Sequence, residues 1–200
     1  MCRSVMAGRQ VRYRLGKILR FKEKYLRMLL YEGKKTTIRR GIVTPGSQTV
    51  YLESGGKIYG EATISGVKYT RLSELTRSDA VSDGFGSREE LLRALKEIYP
   101  DLRGDDWVTI IEFGDVTRYS EPVPRDALRE ARGYSRELPY IARLALAYGV
   151  AENVEEQRVL AKMRVHGDVK KTARELGLSP GYVKLLLGRV ARKLKERGLL

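Results

Sequence analysis

The sequence pattern changes between the first and last parts of the chain, and this change limits the folds available to it. Residues 48–69, QTVYLESGGKIYGEATISGVKY, alternate between apolar and polar residues around the pair Gly55 and Gly56, which predicts a β-hairpin. From Pro139 onward every apolar pattern has helical spacing, with breaks at Gly, Asp or Ser-Pro. We therefore predict an α+β chain in which a strand-rich domain is followed by an all-α domain.

Three further segments complete the first domain. LRFKEKYLRMLLYEG predicts a helix, and SREELLRALKEIYP predicts a second helix with a capping box between Ser87 and Glu90 that ends before Pro100. DWVTIIEFGDV predicts a buried strand. We place the first domain at residues 1–118, a proline-containing linker at 119–138 and the helical domain at 139–200.

The distribution of charge indicates the kind of partner. The chain has 39 Lys and Arg against 25 Asp and Glu, a formal net charge of +14. Residues 1–40 hold 13 cations and 2 anions, and residues 168–200 hold 9 and 3, whereas the middle is slightly acidic. Two basic ends are typical of a protein that binds nucleic acid. No apolar helix face lies beside either cluster, so we do not expect a membrane partner.

Other features narrow the class of protein. A single cysteine, Cys2, and a single histidine, His166, argue against a metal site, and we expect no metal and no cofactor. The start of the sequence does not have the pattern of a secretory signal, so we expect a cytoplasmic protein. Asn occurs once and Gln three times, a bias typical of proteins from hot environments.

The segment GKKTTIRRG, residues 33–41, concentrates cations without an intervening acid. Like charges this close repel one another, so either an anionic partner binds here or the segment is an ordinary solvated turn. The residues that would bind a nucleotide or nucleic acid are Lys34, Lys35, Thr36, Thr37, Arg39 and Arg40.

A second motif lies near the C-terminus. VKKTARELGLSPGYVKLLLG has small residues four apart, Ala173 and Gly177, followed by a tight turn, and it resembles the helix-turn-helix of response-regulator output domains and sigma-factor C-terminal regions. The resemblance implies that a helix starting near Pro180 enters a major groove of DNA. The residues expected to face the nucleic acid are Ser179, Tyr182, Lys184, Leu185, Arg189 and Arg192. The alternatives are a basic three-helix bundle that is merely soluble or that contacts a protein. Helix-turn-helix modules often dimerise, so a homodimer formed through the helical domain is a further partner that we consider.

Residues 17–118 resemble the ASCH domain. The resemblance is carried by a helix, GKKTTIR, a strand, AVSDGF, a helix ending in EIYP, and the strand IIEF. It implies a small β-barrel related to the PUA fold of RNA-modifying proteins, with flanking helices, and we interpret the fusion to a helix-turn-helix as archaeal in type. The family signature is Gly-x-Lys-x-x-Thr-x-Arg, and this sequence departs from it by one residue. Lys34 keeps Lys-x-x-Thr-x-Arg whole but has Glu32 in place of the glycine, whereas counting from Gly33 gives Lys35; we favour Lys34.

The resemblance implies two kinds of function. The first is a pocket that recognises RNA or a nucleotide. The second is an amidohydrolase acting on N4-acetylcytidine or a related nucleoside, with Lys34 or Lys35, Thr37 and Asp83 as catalytic residues. In that case neighbouring cations would lower the pKa of the lysine, which could then activate the threonine hydroxyl. A factor associated with ribosomal RNA is a third interpretation of the two basic regions.

Overall fold

The computed structural model describes residues 11–200, and its elements follow one another as strands and short helices first and helices alone afterwards. The strands are β1 (Arg12–Leu15), β2 (Ile18–Arg20), β3 (Thr36–Arg40), β4 (Ile42–Pro45), β5 (Thr49–Ser54), β6 (Lys57–Arg71) and β7 (Trp107–Pro124). The helices are α1 (Glu23–Tyr31), α2 (Arg77–Ser82), α3 (Arg88–Ile98), α4 (Asp126–Gly133), α5 (Leu138–Ala147), α6 (Val154–His166), α7 (Val169–Leu176) and α8 (Pro180–Glu196), with a 3-10 turn at Leu72–Glu74.

The chain divides into two compact units. Unit 1 contains the residues up to Leu52 together with Glu61–Val116, and unit 2 contains the hairpin Glu53–Gly60 and residues Thr117–Leu200. The α+β class is confirmed, while the proposed domain bounds stay a prediction. Residues 119–138, for which the sequence predicts a linker, lie largely in the end of β7 and in α4.

The expected closed barrel is wrong, because the main sheet is open. Its five strands lie in the order β2-β5-β6-β7-β3, and β1 and β4 form a separate parallel pair. β2 has three residues and β3 has five, so the two edge strands are short. Helices bury the apolar face of the sheet instead: Ile38 and Ile110 pack in one core with Leu91 and Leu95 of α3. An apolar sheet face covered by helices does not need closure to leave water.

Local signals in unit 1 explain its turns. Gly55 and Gly56 both have positive φ, which matches the predicted hairpin between β5 and β6. α3 begins where the sequence indicates, with the Ser87 hydroxyl accepting from the Glu90 amide at 3.2 Å. The Glu90 carboxylate, however, accepts from the Gly86 amide at 2.9 Å, so the predicted capping box is formed in half.

Unit 2 is built around α8. Nine of its seventeen residues are buried, and α4 lies closest to it at Gly188, where an added Cβ would meet the Ala127 carbonyl oxygen at 2.0 Å. A glycine at this position therefore permits close helix packing. α7 and α8 flank a turn at residues 177–179, with Gly177 as a left-handed C-cap. That these helices form a DNA-binding module stays a prediction.

Candidate functional site

The loop before β3 turns two adjacent lysines in opposite directions. The Lys35 amide donates to the Ser82 carbonyl at 2.8 Å, and its own carbonyl accepts from the Phe113 amide at 2.8 Å. With its backbone held on both sides, Lys35 leaves its side chain exposed. Lys34 is 5% exposed. The structure thus places Lys34, and not Lys35, inside unit 1.

Lys34 is paired with Asp83. Its Nζ lies 2.7 Å from Asp83 Oδ2 and donates to the Asp83 carbonyl oxygen at 2.6 Å. The Thr36 hydroxyl donates to Asp83 Oδ1 at 3.1 Å, so a third group holds the carboxylate. All three side chains are buried. A buried charge needs such partners, because an unpaired one would be costly.

The end of α2 positions the acid. Asp83 is the C-cap of that helix, and its amide donates to Asp79 and Ala80 carbonyls. Gly84 follows with φ of +86°, and a Cβ there would come within 2.6 Å of Met28 Cε. The backbone conformation therefore favours glycine at this turn, and an added Cβ would also require the end of the Met28 side chain to shift.

Burial shifts both members of the pair towards their neutral forms. Burial lowers the pKa of Lys34, against the opposing effect of Asp83, and Arg39 lowers it further. Burial also raises the pKa of Asp83, against the opposing effect of Lys34. The expected lowering of the Lys34 pKa agrees in direction, and Arg39 is one of the neighbouring cations that were expected to contribute to it. Burial is the largest cause, not the crowding of cations.

Arg40 lies apart from this cluster. Its Nη1 contacts both carboxylate oxygens of Asp101, at 2.7 and 2.8 Å, and its Nη2 lies 3.8 Å from Asp106. The charge of Arg40 is therefore neutralised by acids of this chain, so this cation of the segment does not need an external anion. Of the six residues predicted in the loop, Lys34, Thr37 and Arg39 line a common cavity with Asp83, whereas Thr36 supports Asp83.

The cavity in unit 1 has a volume of about 280 Å³. Its walls are mainly aromatic and aliphatic, with a few polar side chains that converge on it, a composition typical of small-molecule sites. The lining residues are Arg20, Phe21, Lys22, Tyr25, Lys34, Thr37, Ile38, Arg39, Asp83, Phe85, Leu91, Ala94, Leu95, Ile98 and Tyr99.

Aromatic rings surround the buried cation. The rings of Tyr25 and Phe85 lie 6.0 Å apart, and Lys34 Nζ lies 5.9 Å from the first and 5.7 Å from the second. The Arg39 guanidinium lies 5.0 Å over the ring of Phe21. All three cation-to-ring distances are within the range of cation–π attraction. No sequence motif marks these rings as site residues, although Phe85 stands two residues after Asp83.

Two buried polar atoms at this site lack a hydrogen-bond partner within the described residues. They are the Tyr25 hydroxyl and Arg39 Nε. The rest of the Arg39 side chain is held, since its Nη2 donates to the Arg20 carbonyl at 2.8 Å. Buried polar groups are nearly always bonded, so these two atoms indicate where a polar ligand group would be received.

The predicted DNA-contacting residues have different surroundings. Ser179 caps α8, and its hydroxyl accepts from the Tyr182 amide at 3.1 Å. Tyr182 and Leu185 are buried, contrary to the expectation that they face outward. Arg189 pairs with Glu121 and Glu156.

Two further predicted contacts are more accessible. Lys184 is exposed, and Arg192 pairs with Glu196 on the same helix. Of this predicted set, Lys184 thus has the side chain best placed to meet a partner.

The described residues also limit other kinds of site. Between residues 11 and 200, no three potential metal-binding side chains of His, Cys, Asp or Glu are grouped together. Across the same residues, no helix combines the length and apolar character needed to cross a membrane.

Comparison with known proteins gives one strong match and several distant ones. The family model of the ASCH domain matches residues 17–117. The ASCH protein of Zymomonas mobilis is 18% identical, with a TM-score of 0.45 over 58% of this chain and 78% of that chain. The N-terminal domain of McrB from Staphylothermus marinus is 14% identical, with a TM-score of 0.39 over 56% and 77%. At these TM-scores neither likeness supports a conclusion about this chain. No curated protein matches.

The family match covers slightly more than half of the sequence and includes every residue of the cavity in unit 1. ASCH domains are of a PUA-like type that binds nucleic acid. The chain belongs to the ASCH domain family.

Proposed function

We propose that this protein binds nucleic acid and that the cavity of unit 1 receives one nucleobase, either from an RNA or from a free nucleotide. One observation carries the proposal: a buried Lys34–Asp83 pair lies in an aromatic cavity that also contains two unpartnered polar atoms. Single-stranded nucleic acids are recognised in this way, by stacking on rings and by hydrogen bonds to the base edge.

The aromatic walls suit a flat ligand. The rings of Phe21, Tyr25, Phe85 and Tyr99 all line the cavity. Stacking of a base on an aromatic side chain contributes about 1–3 kcal/mol and does not depend on which base is present. Stacking therefore contributes to affinity, and the polar groups of the cavity would determine the specificity for one base.

The polar groups are suited to a base edge that carries a carbonyl. Arg39 Nε can only donate, so its partner must be an acceptor, and the Tyr25 hydroxyl can either donate or accept. A nucleobase carbonyl beside a ring nitrogen offers this combination. Two exposed cations that line the cavity, Arg20 and Lys22, would attract the phosphates attached to the base.

The test is a titration by calorimetry with the four ribonucleoside monophosphates. The variant Lys34→Met/Asp83→Asn removes both buried charges together, so neither remains uncompensated. We expect affinity for the preferred nucleotide to fall at least about 10-fold, the equivalent of one charge-assisted hydrogen bond. The matched control is Lys35→Met, which removes the adjacent exposed lysine. Equal affinity in both variants and the parent would refute the pocket.

A second function is favoured by the pKa directions at the same site. A lysine whose pKa is lowered can accept a proton, and a carboxyl whose pKa is raised can donate one, which together suit general acid–base chemistry. Thr37 lines the same cavity. We propose as the alternative an amidohydrolase that converts N4-acetylcytidine and water into cytidine and acetate.

In this alternative Thr37 attacks the acetyl carbonyl and transfers its proton to Lys34, and Asp83 delivers a proton to the departing amine. Water then releases acetate from the threonine. The measurement is cytidine release followed by chromatography. If Thr37→Val turns over as fast as the parent protein, or if the parent does not turn over at all, the enzyme alternative is eliminated and binding remains.

A further inference from the structure

α8 offers little free surface to a nucleic acid, although its motif predicts a groove-binding helix. Nine of its seventeen residues are buried. The Tyr182 hydroxyl donates to Glu155 Oε2 at 2.6 Å, and its ring stacks on Tyr119 with 4.4 Å between centroids. Arg189 Nε donates to Glu156 Oε1 at 2.6 Å, and that glutamate is fully buried. These side chains hold unit 2 together and are not available for base contacts.

The neighbouring helix α7 has the opposite character. Thr172 and Ala173 are buried, whereas Lys170, Lys171 and Arg174 are exposed. Arg174 lies four residues after Lys170 and three residues after Lys171, so its side chain neighbours both on the helix surface. Within the described part of the chain, these three side chains form no ion pair.

The acids near this face are already engaged. Glu175, the single acid within α7, contacts Lys162 and His166 of α6. Hydrogen bonds from those two side chains hold the pKa of Glu175 below its ordinary value, so it is ionised and paired at neutral pH. Asp168 caps the helix by accepting from the Lys171 amide at 2.7 Å. The three cations therefore keep a net positive face.

The position of these lysines disfavours the helix itself. Lys170 and Lys171 lie in the first turn of α7, where the helix dipole is positive and repels cations. By contrast, the first turn of α3 contains Glu89 and Glu90, and the first turn of α6 contains Glu155 and Glu156, as the dipole favours. Cations at a position where the helix dipole destabilises the helix indicate a binding partner of opposite charge.

We propose that the exposed face of α7, formed by Lys170, Lys171 and Arg174, contacts the phosphodiester backbone of a nucleic acid. The inference rests on the proposed nucleic-acid binding but not on the cavity of unit 1. It moves the main contact from α8 to the preceding helix. Such a contact is to phosphates, so affinity depends strongly on salt and weakly on base sequence.

The test uses the full chain and fluorescence anisotropy with three labelled oligonucleotides: duplex DNA, duplex RNA and single-stranded RNA. The α7 variant is Lys170→Gln/Lys171→Gln/Arg174→Gln. The rival variant on α8 is Lys184→Gln/Lys195→Gln/Arg197→Gln. A third variant, Arg77→Gln/Arg93→Gln/Lys96→Gln, removes the same charge from helices of unit 1 and measures the effect of net charge alone.

We expect the α7 variant to weaken binding at least about 10-fold and to reduce the slope of log K against log salt by roughly 2 to 3, one for each lost contact. The oligonucleotide whose binding is weakened most shows which kind of nucleic acid the α7 face contacts. The melting temperature of the α7 variant should stay equal or rise, because the substitutions remove two cations from the first turn of the helix. If these side chains had only a structural role, the melting temperature would fall.

Three results would overturn the proposal: no binding by the parent chain, equal weakening in all three variants, or a larger loss in the α8 variant. Titration of the α7 variant with mononucleotides separates the two proposals. If the α7 variant binds mononucleotides normally but binds oligonucleotides more weakly, the result supports the α7 face. If only Lys34→Met/Asp83→Asn loses mononucleotide binding, the result supports the cavity and leaves the α7 face unaffected.

Discussion

Lys34 and Asp83 form a buried ion pair with 2.7 Å between Nζ and Oδ2, although 49 residues separate them in the sequence. The pair joins the loop before β3 to the end of α2 and places two titratable groups beside an aromatic cavity. The side chains of Lys34 and Asp83, taken without their backbone atoms, are 2% and 7% exposed. At such burial, each charge depends on the other for its stability.

The first prediction concerns this dependence. Lys34→Met leaves Asp83 buried without its cation, so we expect a loss of about 3–5 kcal/mol in the free energy of unfolding. Lys34→Met/Asp83→Asn leaves no charge behind and should lose less than the single variant. Urea denaturation of Lys34→Met, of Asp83→Asn, of the double variant and of the control Lys35→Met measures this. Additive losses from the two single substitutions would contradict the coupling.

The second prediction isolates the Tyr25 hydroxyl. This atom has no hydrogen-bond partner within the described residues, so Tyr25→Phe should leave the stability of the free protein unchanged or slightly raised. If the hydroxyl bonds a ligand, the variant should lose about 0.5–1.5 kcal/mol of nucleotide binding energy. Calorimetry and thermal unfolding of one preparation give both quantities. A drop in stability with unchanged binding would show a structural role instead.

The third prediction concerns Gly84, which orients the acid. Gly84→Ala forces a side chain into a positive φ and brings its Cβ to 2.6 Å from Met28 Cε. Gly149→Ala is a matched control, because Gly149 also has positive φ but no atom within 4 Å of the added Cβ. The control should lose about 1–2 kcal/mol, and Gly84→Ala should lose more. Equal losses in urea denaturation would mean that Met28 moves aside freely.

The fourth prediction concerns pH and unit 2. Burial acts to raise the pKa of Glu121, but the hydrogen bond and charge of Arg189 outweigh it and hold that pKa below its ordinary value. A carboxyl with a depressed folded-state pKa stabilises the fold above its unfolded pKa, and this stability is lost as pH falls through the folded value. Glu121→Gln should therefore flatten the fall in stability in acid. The control is Glu137→Gln, which changes an exposed glutamate of unit 2, and a similar flattening there would contradict the assignment.

Local sequence signals predicted much of the secondary structure. Gly55 and Gly56 permit the positive φ values that the hairpin requires, and Ser87 caps α3 through its own hydroxyl. α3 also ends before Pro100, as expected. These features depend on residues that are adjacent in the chain, so a sequence pattern is enough to reveal them.

The segment after residue 118 was harder to interpret. Its prolines and charges indicated a linker, yet Tyr119 and Val123 are buried on β7, and Ala127 and Leu128 are buried on α4. The sequence predicts no more than one or two helical turns in this linker, and it does not indicate that α4 packs against α8 at Gly188. The motif places Leu185 on a DNA-contacting face, whereas the structure buries it completely.

By itself the sequence determined the α+β class, the hairpin, the helix ends, the ASCH signature and the two basic regions, since each follows from residue types at short spacing. Only the tertiary structure decided that Lys34 turns inward and Lys35 outward, because the choice depends on distant backbone partners at Ser82 and Phe113. It likewise decided that the sheet stays open, since helices from another part of the chain cover its apolar face. Burial and charge pairing belong to residues far apart in sequence, so they emerge only when the chain is folded.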